Sequence, residues 1–273
     1  VPPTVPAVSL VTVPNANAAW TMLGLGGNDT ITGGTKDDIL VGGTGRDTMD
    51  GWNGSDTYLV GPGESSTQHG DNFHDSGATG YDRILATGDG TNIVINGSLS
   101  DIEEINGAGF SDVIVSGSTS AHNTIDLSNT KLVGITEVQG GGPTSGDTFY
   151  TSSNSDAVGG QAYRGGGSHD TFNLGSQDTR LLYSGTGNGF DSFHGNGAAT
   201  HTVIAESDGT VIGIGGTYGG ADSVDVITAG GHSGVTIVGS DGVHDNWDFS
   251  DTTLDGITGI FGGGGSDKIT GSA

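Results

Sequence analysis

Asp29, Asp38, Asp47 and Asp56 recur at nine-residue intervals, and each stands two residues before a large apolar side chain: Ile31, Leu40, Met49 and Tyr58. Each also closes a glycine-rich stretch that begins at Gly24, Gly33, Gly42 or Gly51. Carboxylates and the backbone carbonyls of such turns are hard oxygen donors. Calcium takes about 6–8 oxygens at ~2.3–2.6 Å, so this spacing points to repeated cation binding. Composition agrees. The chain has 32 acidic against 7 basic residues and a formal charge of −25. Only five of the acids are glutamate: Glu64, Glu103, Glu104, Glu137 and Glu206. A solvated acidic surface would use glutamate as freely as aspartate, whereas turns and short-reach metal ligands favour aspartate.

The period dictates the elements that would position these groups. Glycines permit positive φ and a sharp turn. The apolar residue after each aspartate begins a short strand and points inward, because side chains alternate along a strand. Nine residues then make one turn and one strand, and eighteen make a full coil. Repeats two apart stack, which sets Asp29 over Asp47 and Asp38 over Asp56. Neighbouring strands lie ~4.8 Å apart. Carboxylates that close repel unless a cation lies between them. The turn leaves its carbonyls free to complete the coordination.

Residues 24–32, 33–41, 42–50 and 51–59 all fit G-G-x-G-x-D-x-U-x, where U is large and apolar. The third segment matches at every fixed position, the second has Lys36 where a glycine is expected, and the first has Leu25. In these residues the chain resembles the RTX, or hemolysin-type calcium-binding, repeat family. The resemblance implies an all-β fold, a right-handed parallel β-roll or β-helix solenoid, with Ca2+ in its turns. In the tandem repeats the metal positions are then Gly24, Gly26, Asn28, Asp29, Gly33, Thr35, Asp37, Asp38, Gly42, Thr44, Asp47, Gly51, Asn53 and Asp56. Later turns of the same kind add Asp147, Gly165, Gly167, Asp170, Asp191, Gly262, Gly264 and Asp267. The family also implies export from a Gram-negative cell by type I secretion, to the surface or the medium. Extracellular calcium would fill such sites, and cytosolic calcium would not.

Beyond residue 60 the repeats loosen. The pairs Asp147 and Phe149, Asp170 and Phe172, and Asp191 and Phe193 recur at spacings of 23 and 21. The pairs Asp225 and Ile227, Asp245 and Trp247, and Asp267 and Ile269 recur at 20 and 22. Coils of roughly that length suit a parallel β-helix with longer turns. A larger repeat overlies these. Residues 126–142 match residues 248–264 at an offset of 122. This predicts two tandem units, 21–145 and 146–273, stacked as one solenoid. Ile84, Ile93, Ile95, Ile105, Ile114, Ile125, Leu132, Ile135 and Val138 should line the bore of the first. Ile204, Ile212, Ile227, Ile237, Phe249, Leu254, Ile257 and Ile260 should line the second. Residues 1–20 hold Pro2, Pro3, Pro6 and Pro14 beside Val8, Leu10, Val11 and Val13. They read either as a linker ending in a cap over the first coil or as an extended arm that docks on a neighbour.

Several function classes are disfavoured. No stretch approaches the ~18 continuous apolar residues of a membrane span. The negative charge argues against nucleic acid and anionic membrane surfaces. There is no cysteine. The eight histidines and the seven basic residues are dispersed along the chain, with no nucleophile elbow, HExxH motif or phosphate loop, so no catalytic residue is expected. The chain begins Val1-Pro2-Pro3 without a methionine and stops just after a repeat, and so reads as a mature or excised piece. Two functions remain. One is a surface-layer, adhesin or extracellular-filament module that folds and self-assembles with calcium. The other is the C-terminal calcium module of a secreted protease, lipase or epimerase. The expected partners are calcium ions, further copies joined through the solenoid ends, and a cell-surface polysaccharide.

Overall fold

A computed structural model describes residues 10–12, 17–65, 68, 70–77, 79–97, 99–120, 122–142, 146–195, 199–220 and 224–272. Most of the proline-rich arm, including its four prolines, lies outside these residues, as does His69.

Twenty-nine short strands and no α-helix occur among the described residues. A glycine-rich turn redirects the chain after each three-residue strand, so a strand meets its partner one full coil later and never as a hairpin. Thr30–Thr32 pairs with Thr48–Asp50, and Ile39–Val41 pairs with Thr57–Val60, both in parallel. This is the stacking of alternate repeats that the nine-residue period requires. The longest sheets have seven strands, from Thr21–Leu23 to Asn154–Ser155, and eight, from Asn92–Ile95 to Thr253–Asp255. Glu137–Gln139 pairs directly with Gln161–Arg164, so the sheet crosses residue 145 without a break. One buried apolar cluster runs from Met22 to Phe249. The chain is therefore a single parallel β-solenoid.

Strand positions repeat as well as sequence. Thr124–Asp126, Lys131–Val133 and Glu137–Gln139 reappear as Asn246–Asp248, Thr253–Asp255 and Gly259–Phe261, each displaced by the same 122 residues.

Along the tandem repeats the interior is a file of single side chains, one from each repeat. Ile31, Leu40, Met49 and Tyr58 are each at most 1% exposed. The three aspartate–phenylalanine pairs place Phe149, Phe172 and Phe193 in one register, and their rings stack at centroid separations of 4.8 and 6.0 Å. Complete burial of such a side chain stabilises the fold by about 1.5–3 kcal/mol.

Most expected bore residues are buried, but two point outward. Ile114 is only half-buried, because Val113 and Val115 take the interior on either side of it. Ile204 is displaced in the same way by Val203 and Ala205. Strand alternation allows one face only. Leu254, Ile257 and Ile260 pack against the core while remaining partly exposed. Coil length also differs from expectation. Bonds between equivalent turns span 18 residues in the tandem repeats, 24 and 26 in the next coils, and up to 29 near Gly216. Asp225 and Asp245 are consequently not stacked. Ile227 pairs with Val203 and Leu254, whereas Trp247 pairs with Tyr218 and Ile269 in another sheet.

Candidate metal centre

The aspartates form ladders along the solenoid. Asp47 Oδ1 accepts the backbone N–H of Asp29 at 2.7 Å, and Asp71 Oδ1 accepts that of Asp47 at 2.9 Å. A second ladder runs from the N–H of Trp20 through Asp38, Asp56 and Asp82 to Glu103, every step at 2.6 Å. A third joins Asn123, Asp147, Asp170 and Asp191 at 2.7–2.8 Å. A fourth joins Gly216, Asp245 and Asp267 at 2.9 and 3.0 Å. One carboxylate oxygen of each stacked pair thus satisfies the peptide N–H of the coil before it. That contact holds like charges close without an intervening base.

The other oxygen folds back over the aspartate's own turn. Gly34 N–H donates to Asp38 Oδ2 at 2.6 Å, and Gly141 N–H donates to Asp147 Oδ2 at 3.0 Å. A Cβ added at Gly24 would come within 2.6 Å of Asp29 Oδ2, and one at Gly33 within 2.8 Å of Asp38 Oδ2. Gly42, Gly51, Gly165 and Gly262 are confined by Asp47, Asp56, Asp170 and Asp267 in the same manner. The first glycine of the repeat is therefore required by close approach of the carboxylate. Positive φ is required further on, at Gly43 and Gly45 and at Gly27 and Gly54. Leu25 and Trp52, which replace the second glycine, are forced into the same region at φ 75° and 74°.

Within each turn the first glycine and the closing aspartate are buried, while the intervening positions face solvent. Asn28, Asp37 and Thr44 are exposed, and Gly26, Thr35, Asn53 and Gly167 are partly so. Asn28 Oδ1 accepts the N–H of Arg46, and Asp37 Oδ1 accepts that of Ser55, which makes an outer ladder parallel to the inner one. Not all turn carbonyls are free, contrary to expectation. Those of Leu25, Gly34 and Thr44 already accept inter-coil N–H groups, leaving each a single remaining lone pair. Gly264 and Asp267 lie in a more open turn, where Asp267 is partly exposed.

Burial raises the carboxyl pKa values. Asp47 and Asp170 are pushed up to about 6, and Asp56 to about 7, in each case mainly by desolvation and further by neighbouring carboxylates. Asp71 and Asp82 reach about 6 for the same reason. The Oδ2 atoms of Asp47, Asp56, Asp170 and Asp245 are buried with no hydrogen-bond partner. A buried acceptor without a partner costs about 1–3 kcal/mol, and more when charged. Partnerless carboxylate oxygens beside peptide carbonyls are an all-oxygen donor set, and this set fits calcium.

The ladders recruit residues outside the motif turns: Asp71, Asp82, Asn123 and Asp245. A legible signal existed, since each stands two residues before a buried Phe73, Ile84, Ile125 or Trp247. Basic side chains are partly consumed in ion pairs. Arg164 bridges Glu137 at 2.8 Å and Glu206 at 2.6 Å, and Lys131 pairs with Glu104 at 3.0 Å. Two histidines about one coil apart share a surface groove. His169 and His194 line one groove of about 670 Å³ with Asp170, Phe190 and Asp241. No described helix is long and apolar enough to cross a membrane.

The model of the RTX calcium-binding nonapeptide repeat matches four copies, at residues 23–58 and 260–273. No curated protein and no solved structure matches the chain. Those two segments, with their glycine-confined carboxylates, carry the RTX calcium-binding nonapeptide repeat, and the likeness rests on them.

Proposed function

We propose that this chain is an extracellular structural module of a Gram-negative bacterium whose solenoid is completed by calcium, with the repeat aspartates as its principal ligands. The observation that carries this reading is the set of buried, partnerless Oδ2 atoms on Asp47, Asp56, Asp170 and Asp245. Each of these aspartates spends one oxygen on coil stacking and has the other available for an ion. The turns at Gly24, Gly33, Gly42, Gly51, Gly165 and Gly262 supply the remaining oxygens in this reading. A calcium-completed rod suits a surface-layer, adhesin or filament subunit, exported by the type I route typical of RTX proteins. Copies joined through the solenoid ends, or a cell-surface polysaccharide, are the partners such a rod would take. The consumption of Arg164 and Lys131 in ion pairs supports a non-catalytic role, since it removes cations that an anionic sugar would need.

Circular dichroism in EGTA and then in millimolar calcium tests the proposal. The β signal should be weak without calcium and restored with it, because ion binding to the folded state adds to folding stability. An equal β signal in both buffers would refute it.

A further inference from the structure

One corner of the solenoid is cut short in a single coil. Gly213 pairs with Val238, and Thr217 pairs with Asn246. Between those paired points the lower coil spends three residues, 214–216, and the upper coil spends seven, 239–245. Below, Asp191 pairs with Ile214, which sets Phe190 beside Gly213 and Ser192 beside Gly215. Two glycines therefore stand where outward side chains would fill the corner. The seven-residue loop above and Phe190 below line the space they leave. The result is a notch one coil deep, whose walls are two strand spacings, or about 10 Å, apart.

Both walls are held in place. Gly242 N–H donates to the Gly264 carbonyl at 2.6 Å, and Ser266 N–H donates to His244 Nδ1 at 2.9 Å, which ties the long loop to the coil above it. In the lower wall Gly189 packs so closely on the Ser168 carbonyl that a Cβ has no room. The Phe190 and His169 rings lie 5.5 Å apart with a tilt of 41°. They give the lower wall an apolar face, and Val243, 43% exposed, answers it from above. Ser192, Thr217 and Ser240 add hydroxyls, which both donate and accept. The acids of the lining are Asp170 and Asp241, and the described lining has no lysine or arginine. The groove's volume of about 670 Å³ lies within the ~300–1,000 Å³ of small-ligand sites.

We infer that this notch is a binding site for a neutral glycan. A pyranose ring has a C–H-rich face, which loses water favourably against an aromatic ring. Its rim of hydroxyls exchanges hydrogen bonds with serine, threonine and carboxylate oxygens. Phe190 and His169 supply the first kind of surface, and Ser192, Thr217, Ser240 and Asp241 supply the second. Charge selects among sugars. Two lining carboxylates and a net charge of −25 repel a polyuronate, and no lining lysine or arginine offsets them. Width selects against a docked helix, which is about 10–12 Å across with its side chains and exceeds the gap. The inference rests on the proposed function in taking a cell-surface polysaccharide as partner, and it adds the place of contact and the class of sugar.

Isothermal titration calorimetry of the full chain in millimolar calcium tests the site. The probes are hexasaccharides of neutral glucan, mannan and galactan, with a hexaguluronate as the anionic comparison. At least one neutral hexamer should bind, and the hexaguluronate should not. Phe190→Ala should weaken that binding about tenfold by removing the ring face. Asp241→Asn lies on an exposed loop, keeps the shape and guards against a folding defect in the first variant. It should weaken binding about threefold by replacing a charged acceptor with a neutral one. Both variants should keep the wild-type β spectrum in calcium. Failure of every neutral hexamer to bind would overturn the inference, as would equal binding of the hexaguluronate or full affinity in either folded variant. A chain that folds with calcium but takes no neutral hexamer refutes this site alone. A β signal indifferent to calcium refutes the proposed function, whatever the sugar titration gives.

Discussion

Acid should substitute for calcium. In metal-free buffer at pH 7.5 Asp47, Asp56, Asp71, Asp82 and Asp170 are mostly ionised while buried beside other carboxylates. Asp56 has its pKa pushed up to about 7 from an ordinary 3.8, first by burial and then by Asp82, Asp38 and Asp75. A carboxyl with a raised folded-state pKa binds protons more readily in the folded chain. Its favourable contribution is complete below pH 3.8 and is lost as pH rises through about 7. For Asp56 the full loss is about three pKa units, or ~4 kcal/mol. Returning from pH 7.5 to pH 5 restores about 2.5 kcal/mol of it, because the unfolded carboxyl still ionises at pH 5. Asp47, Asp71, Asp82 and Asp170, each near 6, restore about 1.4 kcal/mol apiece over the same interval. Net stabilities of folded domains are only ~5–15 kcal/mol, so the shift is large enough to fold a chain that repulsion had opened. Far-UV circular dichroism and urea melts in metal-stripped buffers at pH 7.5, 6 and 5 measure it. The β signal and urea midpoint should rise as pH falls. A flat or falling midpoint over this range would show that the buried aspartates do not limit the metal-free fold.

Other expectations follow from the same geometry. Asp47→Asn should lower both calcium stoichiometry and thermal stability, whereas Asp208→Asn, in an exposed turn where the carboxylate accepts from Ser233 N–H, should leave the ion count unchanged. Phe172→Ala empties the centre of the Phe149–Phe172–Phe193 stack and should cost about 3–5 kcal/mol in a urea melt with calcium present. Leu25→Gly relieves a left-handed backbone at an exposed side chain and should stabilise by roughly 0.5–1 kcal/mol, read as a rise in melting temperature.

The tandem repeats were legible because period, turn chemistry and inward residue all agree over residues 24–59. Stacking of Asp29 on Asp47 and burial of Ile31, Leu40, Met49 and Tyr58 follow from nine and eighteen alone. The carboxylate's grip on the peptide N–H of the preceding coil was not legible, since like charges at strand spacing suggest only repulsion. Nor was the reason for the first glycine, which concerns space for Asp47 or Asp56 and not φ. In the wide coils, turn length varies without a sequence marker. Asp225 and Asp245 looked like stacked neighbours for that reason, and Ile114 looked inward because it is apolar. Asp75 gave no signal, as it lies in a two-residue insertion ahead of a turn whose bonds to the coil below run at an offset of 26.

The ladders also stop at definite places, and the stops imply an uneven response to calcium loss. Above Asp71 the next coil presents Ile95, and above Asp191 it presents Ile214, both buried. Above Asp191 the gap lasts one coil, and the carboxylates resume with Asp245 and Asp267. Between Asn92–Ile95 and Glu137–Gln139 the sheet is held by Ile93, Val115 and Val138, none of them exposed, and beside it Ile84, Ile105 and Leu132 form a second apolar file. No repulsion opposes these contacts when the metal is removed. The tandem turns at residues 24–59, by contrast, combine narrow coils with a buried aspartate at every ninth residue. Hydrogen exchange read by mass spectrometry should therefore show peptides from residues 24–59 losing protection first as calcium is lowered, with peptides from residues 92–139 following at lower calcium. Simultaneous loss across the whole chain would mean that the apolar coils do not hold without their charged neighbours, and would refute a division between ion-held and core-held segments.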